Sequence, residues 1–249
     1  MALDEALLRG AAARGRPLLR VYAWAQPAAS FGYFQKFPAH LAGTYAVVRR
    51  PTGGGVVYHG DDTTYTVIAP PAHPLATMKT AAAYETLHRA VAAALALGPS
   101  PSCARGSDPA PTCDRRSPAV ERRPAVVQSA RSGDRRTAPD PAPAGAPSLH
   151  SAPLASPSGQ YECFQRPVRG DVVQAGRKLA GGAQRRTKWG LLHQGSIATT
   201  LTVAQLTAGF ARTLGVTFAP FQVGAAAEQL TAQLVTEKYT TAAWNNRVT

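Results

Sequence analysis

The chain has 249 residues, 45% of them apolar, enough to bury a sizeable core in one large domain or two small ones. No run of about 18 apolar residues occurs, so no membrane-spanning helix is expected. The opening MALDEALLRG puts acids where a secretion signal carries cations, so a cytoplasmic protein is expected. A formal charge of +13 points to an acidic partner (nucleic acid, a phosphate-bearing substrate or an acidic protein) if it does more than keep the chain soluble.

In chain order, LDEALLRGAAARG spaces Leu3, Leu7, Leu8 and Ala11 as a helix face and stops at Gly15. LLRVYAWA and ASFGYF read as short strands. YAVVRR, GVVYHG and TTYTVIAP follow with alternation and β-branched residues, separated by Gly and Asp turns. TAAAYETLHRAVAAALALG places Tyr84, Leu87, Val91 and Leu95 on one helical face and ends at Gly98.

From 99 to 158 the composition changes: more than half of the 21 prolines fall there, aromatics are absent, and neither period survives. Such a stretch buries too little apolar surface to offset its ordering entropy. It reads as a disordered insertion interrupting a single domain over 1–249. Cys103 and Cys113 lie in it without an assigned role. The three cysteines are too sparse for a disulfide framework, and none has zinc-ligand company.

After it, GDVVQAGRKLAGGAQRRTKWGLLHQGSIATTL reads as a strand meander with turns at Ala175-Gly176 and Trp189-Gly190. TVAQLTAGFARTLG opens on a capping box, Thr202 with Gln205, and a last helix covers about Gly224 to Tyr239. Hairpins rather than βαβ units imply an α/β (α+β) fold, a mixed, largely antiparallel sheet flanked by helices.

Two stretches carry the chemistry. In RRPTGGGVVYH, three glycines (Gly53, Gly54, Gly55) follow Arg49, Arg50 and Thr52. A backbone without side chains there permits close approach of a ligand, and arginine suits two-pronged contact with phosphate or carboxylate. No Lys-Ser/Thr follows, so the bend is not a P-loop. In GRKLAGGAQ, Lys178 stands before Gly181, Gly182, Ala183 and Gln184. Small residues beyond a lysine leave a groove in which it can polarise a carbonyl or neutralise a phosphate. On the next strand, His193 and Gln194 can each line that groove. Cys163, in YECFQRP, is the only cysteine outside the proline-rich tract, and a thiolate near Lys178, Arg166 or Arg169 would be activated as a nucleophile.

These motifs resemble the lipoate–protein ligase and octanoyltransferase family. RRPTGGGVVYH is similar to that family's Arg-Arg-x-Thr/Ser-Gly-Gly-Gly/Arg-x-Val-x-His signature, and GRKLAGGAQRR with LLHQGS to its lysine segment. The resemblance implies a fold shared with biotin ligases and related to class II tRNA synthetases. It implies transfer of an octanoyl or lipoyl chain to one lysine of an acidic lipoyl carrier domain, of a 2-oxoacid dehydrogenase or the glycine cleavage H protein. It makes Lys178 the contact to the acyl carbonyl and gives the glycine bend, with His59, a place in the acyl pocket.

One transferase branch carries its nucleophile in Cys-Phe-x-x-Pro before the lysine, and Cys163 to Pro167 match it. That branch takes octanoate from acyl-carrier protein as a thioester and needs no cofactor. The alternative, a ligase, uses ATP and Mg²⁺ to activate free lipoic or octanoic acid. Ala-Gly-Gly-Ala replaces the more usual Gly-Ser-Ala after Lys178, and the accessory domain that some ligases carry is not expected. A nucleic-acid-binding module, the reading from charge alone, lacks the interleaved aromatics it would need, so neither nucleic acid nor membrane is an expected partner.

Overall fold

The computed structural model describes residues 1–97, 125–130, 145–151 and 167–247. Helices α1 (Ala2–Arg9) and α2 (Ala11–Arg14) end at Gly15, in the left-handed region at φ 69°, as the pattern predicts. Strands β1 (Leu18–Tyr22), β2 (Ala28–Phe31), β3 (Ala46–Arg49), β4 (Val57–His59) and β5 (Thr63–Ala69) follow, then helices α3 (Pro74–Thr77) and α4 (Thr80–Ala96). Beyond α4 come β6 (Ala125–Ala130), β7 (Ser148–Leu149), β8 (Val172–Gln174), β9 (Arg177–Thr187) and β10 (Gly190–Ile197). Helix α5 (Val203–Leu214), β11 (Thr217–Pro220), α6 (Ala225–Leu234) and α7 (Ala242–Asn245) complete the order.

Eight strands form one sheet in the order β11-β6-β1-β5-β10-β9-β8-β7, every neighbouring pair antiparallel. A second sheet, β3-β2-β4, pairs β2 with β3 in parallel and with β4 antiparallel. The expected mixed, largely antiparallel arrangement is therefore the one found. The β8–β9 hairpin turns at Ala175 (φ 48°) and Gly176 (φ 75°), a pair of left-handed residues that matches the strand twist.

The large sheet is covered on both faces, so its central strands are apolar on both. Leu18, Ile68 and Leu192 meet Leu7, Leu8 and Ala11 of α1 and α2. The alternate residues Leu19, Val67 and Leu191 meet Leu87, Val91 and Ala94 of α4 and Leu206 and Phe210 of α5. The Thr202–Gln205 capping box opens α5 as expected. The last long helix is split: α6 ends at Leu234 and a wider π turn carries the chain to Tyr239. No helix among the described residues is long and apolar enough to cross a membrane.

The reading of 99–158 as one structureless insertion is corrected at two places. β6 occupies the slot between β1 and β11, and β7 pairs with β8 at the far edge. The hexapeptide AVVQSA of β6 contains no proline, and it satisfies backbone groups that β1 would otherwise expose. Val126 is buried on the α1 face. Cys103 and Cys113 lie outside the described residues.

Candidate active site

A cavity of about 110 Å³ lies where β9 and β10 meet the small sheet. Gly181 to Ala183 and Gln194 to Ser196 form its floor; Ser30, Val57 and His59 come from the small sheet, and Arg50 and Gly54 from the glycine bend. Tyr84 of α4, Val168, Asp171 and Lys178 close the remaining side.

Lys178 is buried and ion-paired, Nζ 2.8 Å from Asp171 Oδ2. Asp171 is fully enclosed. Its Oδ1 accepts from the Tyr84 hydroxyl at 2.7 Å and its Oδ2 from the Val168 N–H at 2.7 Å. Burial, and then the carboxylate, push the Tyr84 phenol well above its usual range, so Tyr84 is a fixed donor. Its oxygen accepts from the Gly182 N–H at 3.1 Å, tying α4 to the strand that carries the lysine.

Gly181 makes room for the pair. A Cβ there would stand 2.5 Å from Lys178 Cε and 3.2 Å from Asp171 Oδ1. The lysine therefore lies across the small residues that follow it, and its ammonium is anchored on one side. An ammonium in such a low-dielectric, pre-oriented place is suited to hold negative charge developing on an acyl oxygen.

The glycine bend does something other than trap an anion with its arginines. Arg50 Nη1 donates to Ser30 O (2.7 Å) and Ser30 Oγ (2.8 Å), and Nη2 to Gly53 O (3.0 Å) and Gly55 O (2.8 Å). Gly53 and Gly55 thus present carbonyls to the arginine, while Gly54, at φ 89°, turns the chain and lines the cavity. Arg49 does not line the cavity. Its guanidinium donates to the carbonyls of Tyr33, Gln35, Asn245 and Arg247, pinning the chain end around α7 to β3. The Nη donors expected to grip a phosphate go instead to backbone carbonyls and, for Arg50, also to Ser30 Oγ, while Arg49 Nε is buried with no hydrogen-bond partner among the described residues.

His59 lines the opposite end. Its Nδ1 is 2.8 Å from Asp62 Oδ2 and its Nε2 2.7 Å from Ser30 Oγ, and Trp24 stacks on the ring at 4.3 Å. Burial raises the Asp62 carboxyl, but hydrogen bonds from His59, Ser196 and the Gly60 N–H outweigh it and hold Asp62 below the ordinary range.

Of the other residues expected in the pocket, Thr52, Gly53, Gly55, Gln184 and His193 do not line it. Thr52 acts one step behind, donating to Gln194 Oε1 at 2.8 Å, while Gln194 Nε2 donates to Asp4 at 2.8 Å. His193 lies on the α4 side, with Nε2 3.1 Å from the Tyr65 hydroxyl. A Cβ at Gly182 would come within 2.7 Å of that nitrogen, so this glycine makes room for the histidine as well as lining the cavity. Burial, then His88, hold the His193 pKa well below normal, so it is a neutral core residue. Cys163 lies outside the described residues. Sequence reading missed Asp171, Tyr84, Ser30 and Asp62. Only Asp62, three residues after His59, left a local signal. Among the described residues no group of three or more His, Cys, Asp or Glu is placed to hold a metal.

Comparison with known proteins shows what the chain is similar to. The family model of the lipoyl protein ligase A/B catalytic domain matches residues 1–106. Octanoyltransferase LipM of Symbiobacterium thermophilum is 29% identical over 99% of this chain and 93% of its own, and that of Moorella thermoacetica 32% over 81% and 60%. Over its first 106 residues the chain thus matches the lipoyl protein ligase A/B catalytic domain, and along most of its length it is similar to octanoyltransferases. Solved lipoate-protein ligases share its fold. A lipoate-protein ligase A bound with ATP superposes with TM-score 0.65, at 18% identity over 100% of this chain and 93% of its own. A putative lipoate protein ligase from T. acidophilum with bound lipoic acid gives 0.63, at 19% identity over 98% and 91%. The chain spans only 60% of the Moorella relative, and shorter parts of some others.

Proposed function

We infer that this protein is an octanoyltransferase that moves the octanoyl group of acyl-carrier protein onto one lysine of a lipoyl carrier domain, through a thioester on Cys163. The observation that carries the reading is the buried Lys178–Asp171 pair lying across Gly181 in the cavity. Similarity to transferases named octanoyltransferase LipM supports the acyl group and the reaction type. Cys163 stands five residues before Val168, a cavity-lining residue, so the chain itself limits its distance to about 18 Å or less.

The Cys163 thiolate attacks the donor thioester carbonyl. The new C–S bond forms, the donor C–S bond breaks, and the donor leaves as a thiolate that takes up the proton Cys163 lost on ionising. The carrier amine then attacks the same carbonyl, an amide C–N bond forms, and the Cys163 thiol is released. Lys178, anchored by Asp171, donates to the carbonyl oxygen as it becomes an oxyanion in both steps. Loss of one such donor costs roughly 10²–10³ in rate. No cofactor is required in this reading.

Mass spectrometry after incubation with octanoyl-acyl-carrier protein should show one octanoyl mass on Cys163, and Cys163→Ser should abolish transfer to a lipoyl domain. Transfer that survives this substitution and demands ATP with free lipoate overturns the transferase in favour of the ligase.

A further inference from the structure

The cavity holds a second set of reactive groups that the scheme above leaves idle. Ser30 Oγ, His59 and Asp62 form a continuous chain, 2.7 Å from Ser30 Oγ to Nε2 and 2.8 Å from Nδ1 to Asp62 Oδ2. Both His59 and Asp62 side chains are almost fully enclosed, at 3% and 8% exposure. The carboxylate receives three further hydrogen bonds, from Thr64 Oγ1 (3.0 Å), Ser196 Oγ (2.7 Å) and the Gly60 N–H (3.1 Å). So held, Asp62 is an ionised acceptor, and that puts the imidazole hydrogen on Nδ1. Nε2 is then the acceptor, and the Ser30 hydroxyl hydrogen points at it. Ser30 Oγ itself accepts from the Arg50 guanidinium at 2.8 Å and keeps one more lone pair, and both Ser30 and His59 line the cavity.

We propose that Ser30, His59 and Asp62 are a proton relay that takes the proton from the acyl-accepting lysine of the carrier domain. The relay rests on the acyl-transfer reading above and adds the base that reading lacks. A lysine amine with the ordinary pKa of about 10.4 is neutral in roughly one molecule in a thousand near neutral pH, so its attack is slow until a base removes a proton. Here the substrate N–H donates to Ser30 Oγ, the Ser30 hydrogen passes to His59 Nε2, and the imidazolium is held by Asp62 with Trp24 stacked on its face. The buried Arg50 cation beside Ser30 opposes a second positive charge there and so favours the neutral amine. His59 gives this first proton, taken from the ammonium, to solvent. As the amide C–N bond forms and the thioester C–S bond breaks, a second proton leaves the same nitrogen along the relay and ends on the departing thiolate, so the nitrogen goes from three hydrogens to one and the enzyme ends unchanged.

A brace that merely holds β2 to β4 would slow every nucleophile alike, whereas a base matters only to a protonated one. Wild type, Ser30→Ala and His59→Gln are loaded to completion with octanoyl-acyl-carrier protein. Release of the octanoyl group is then timed with a lipoyl domain and, separately, with hydroxylamine, an amine already neutral at the same pH. Transfer to the lysine should fall about 10²–10⁴-fold in His59→Gln and similarly in Ser30→Ala, while hydroxamate forms within a few-fold of wild type. Equal loss with both nucleophiles, or no loss with lysine, overturns the relay. Ser30→Ala removes a single hydroxyl, so it carries the test should His59→Gln not fold. A loaded wild type that gives up its acyl group to hydroxylamine but never to a lipoyl domain instead overturns the acyl-transfer reading, and the relay with it.

Discussion

Lys178 and Asp171 depend on each other in a way that sets their mutational signatures apart. Lys178→Ala removes a donor to the acyl oxygen, and transfer should drop by roughly 10²–10³; Asp171 keeps its bonds to Tyr84 and Val168, so stability should fall less than in Asp171→Leu. Asp171→Leu leaves an uncompensated ammonium in the interior, and denaturant titration should show a loss of about 3–5 kcal/mol besides the loss of activity. His88 gives a pH signature. It is fully buried, donates from Nδ1 to Gly170 O at 2.6 Å, and faces Tyr84 and His193. Burial lowers its pKa from 6.5 to about 4, with a small opposing pull from Gly170 O and Asp171. Between those values the unfolded chain binds a proton that the folded chain refuses. Stability is therefore complete above about pH 6.5 and is lost as pH falls toward 4, by about 3 kcal/mol at the lower end. Thermal melts of the wild type across that window should fall, and His88→Phe should flatten the slope.

At the scale of elements, two contacts fall on backbone atoms. Helix α5 crosses α4 at Gly209, where a Cβ would lie 2.5 Å from both Ala90 O and Ala94 N. Neither can move without shifting α4, which also carries Tyr84 and His88. Gly209→Ala should cost about 1–3 kcal/mol in a denaturant midpoint and also lower activity, although it lies away from the cavity. The other contact is Arg49, the clasp between β3 and the segment from α7 to Arg247. With Trp244 Nε1 donating to Arg49 O at 3.1 Å, the strand end and the chain end hold each other. Arg49→Ala should raise amide hydrogen exchange through Thr241–Arg247 while leaving α4 and α5 protected. Equal loosening everywhere would show that the clasp is part of the global fold instead.

At the scale of the molecule, the three-layer arrangement places the cavity between the large sheet and the small one, so its walls come from separate parts of the chain. Tyr84 and Asp171 are 87 positions apart, and Thr52 and Gln194 are 142 apart. The overall charge of +13 acts at the same scale. If the acceptor is an acidic carrier domain, its association rate should fall by tenfold or more as salt rises, while dissociation changes little; stopped-flow binding would read this. A rate that is flat in salt would leave the charge to solubility alone.

Periodicity and turn chemistry are local properties, and they were legible. Gly15, the Ala175-Gly176 hairpin, the Thr202 capping box and the helix from Thr80 all stand where the residues put them. Residue type at short spacing also located Lys178 beside small neighbours, and the family resemblance pointed to His59 after the glycines; both line the cavity. Where a polar side chain spends its hydrogen bonds is not local. Arg49 and Arg50 look like anion hooks until Tyr33, Gln35, Asn245, Arg247 and Ser30 arrive from elsewhere and, with the adjoining carbonyls of Gly53 and Gly55, take their Nη donors. Asp171 looks like a turn residue until the β8–β9 hairpin folds Lys178 back to it and α4 brings Tyr84. β6, inside a proline-rich tract, becomes a strand because β1 and β11 leave a slot whose backbone groups need partners. The sequence alone determined most of the elements, β6 and β7 excepted, and the residue types at the site. Tertiary structure alone decided which of those residues face the cavity, because hydrogen-bond partners and burial are set by chain segments far apart in sequence.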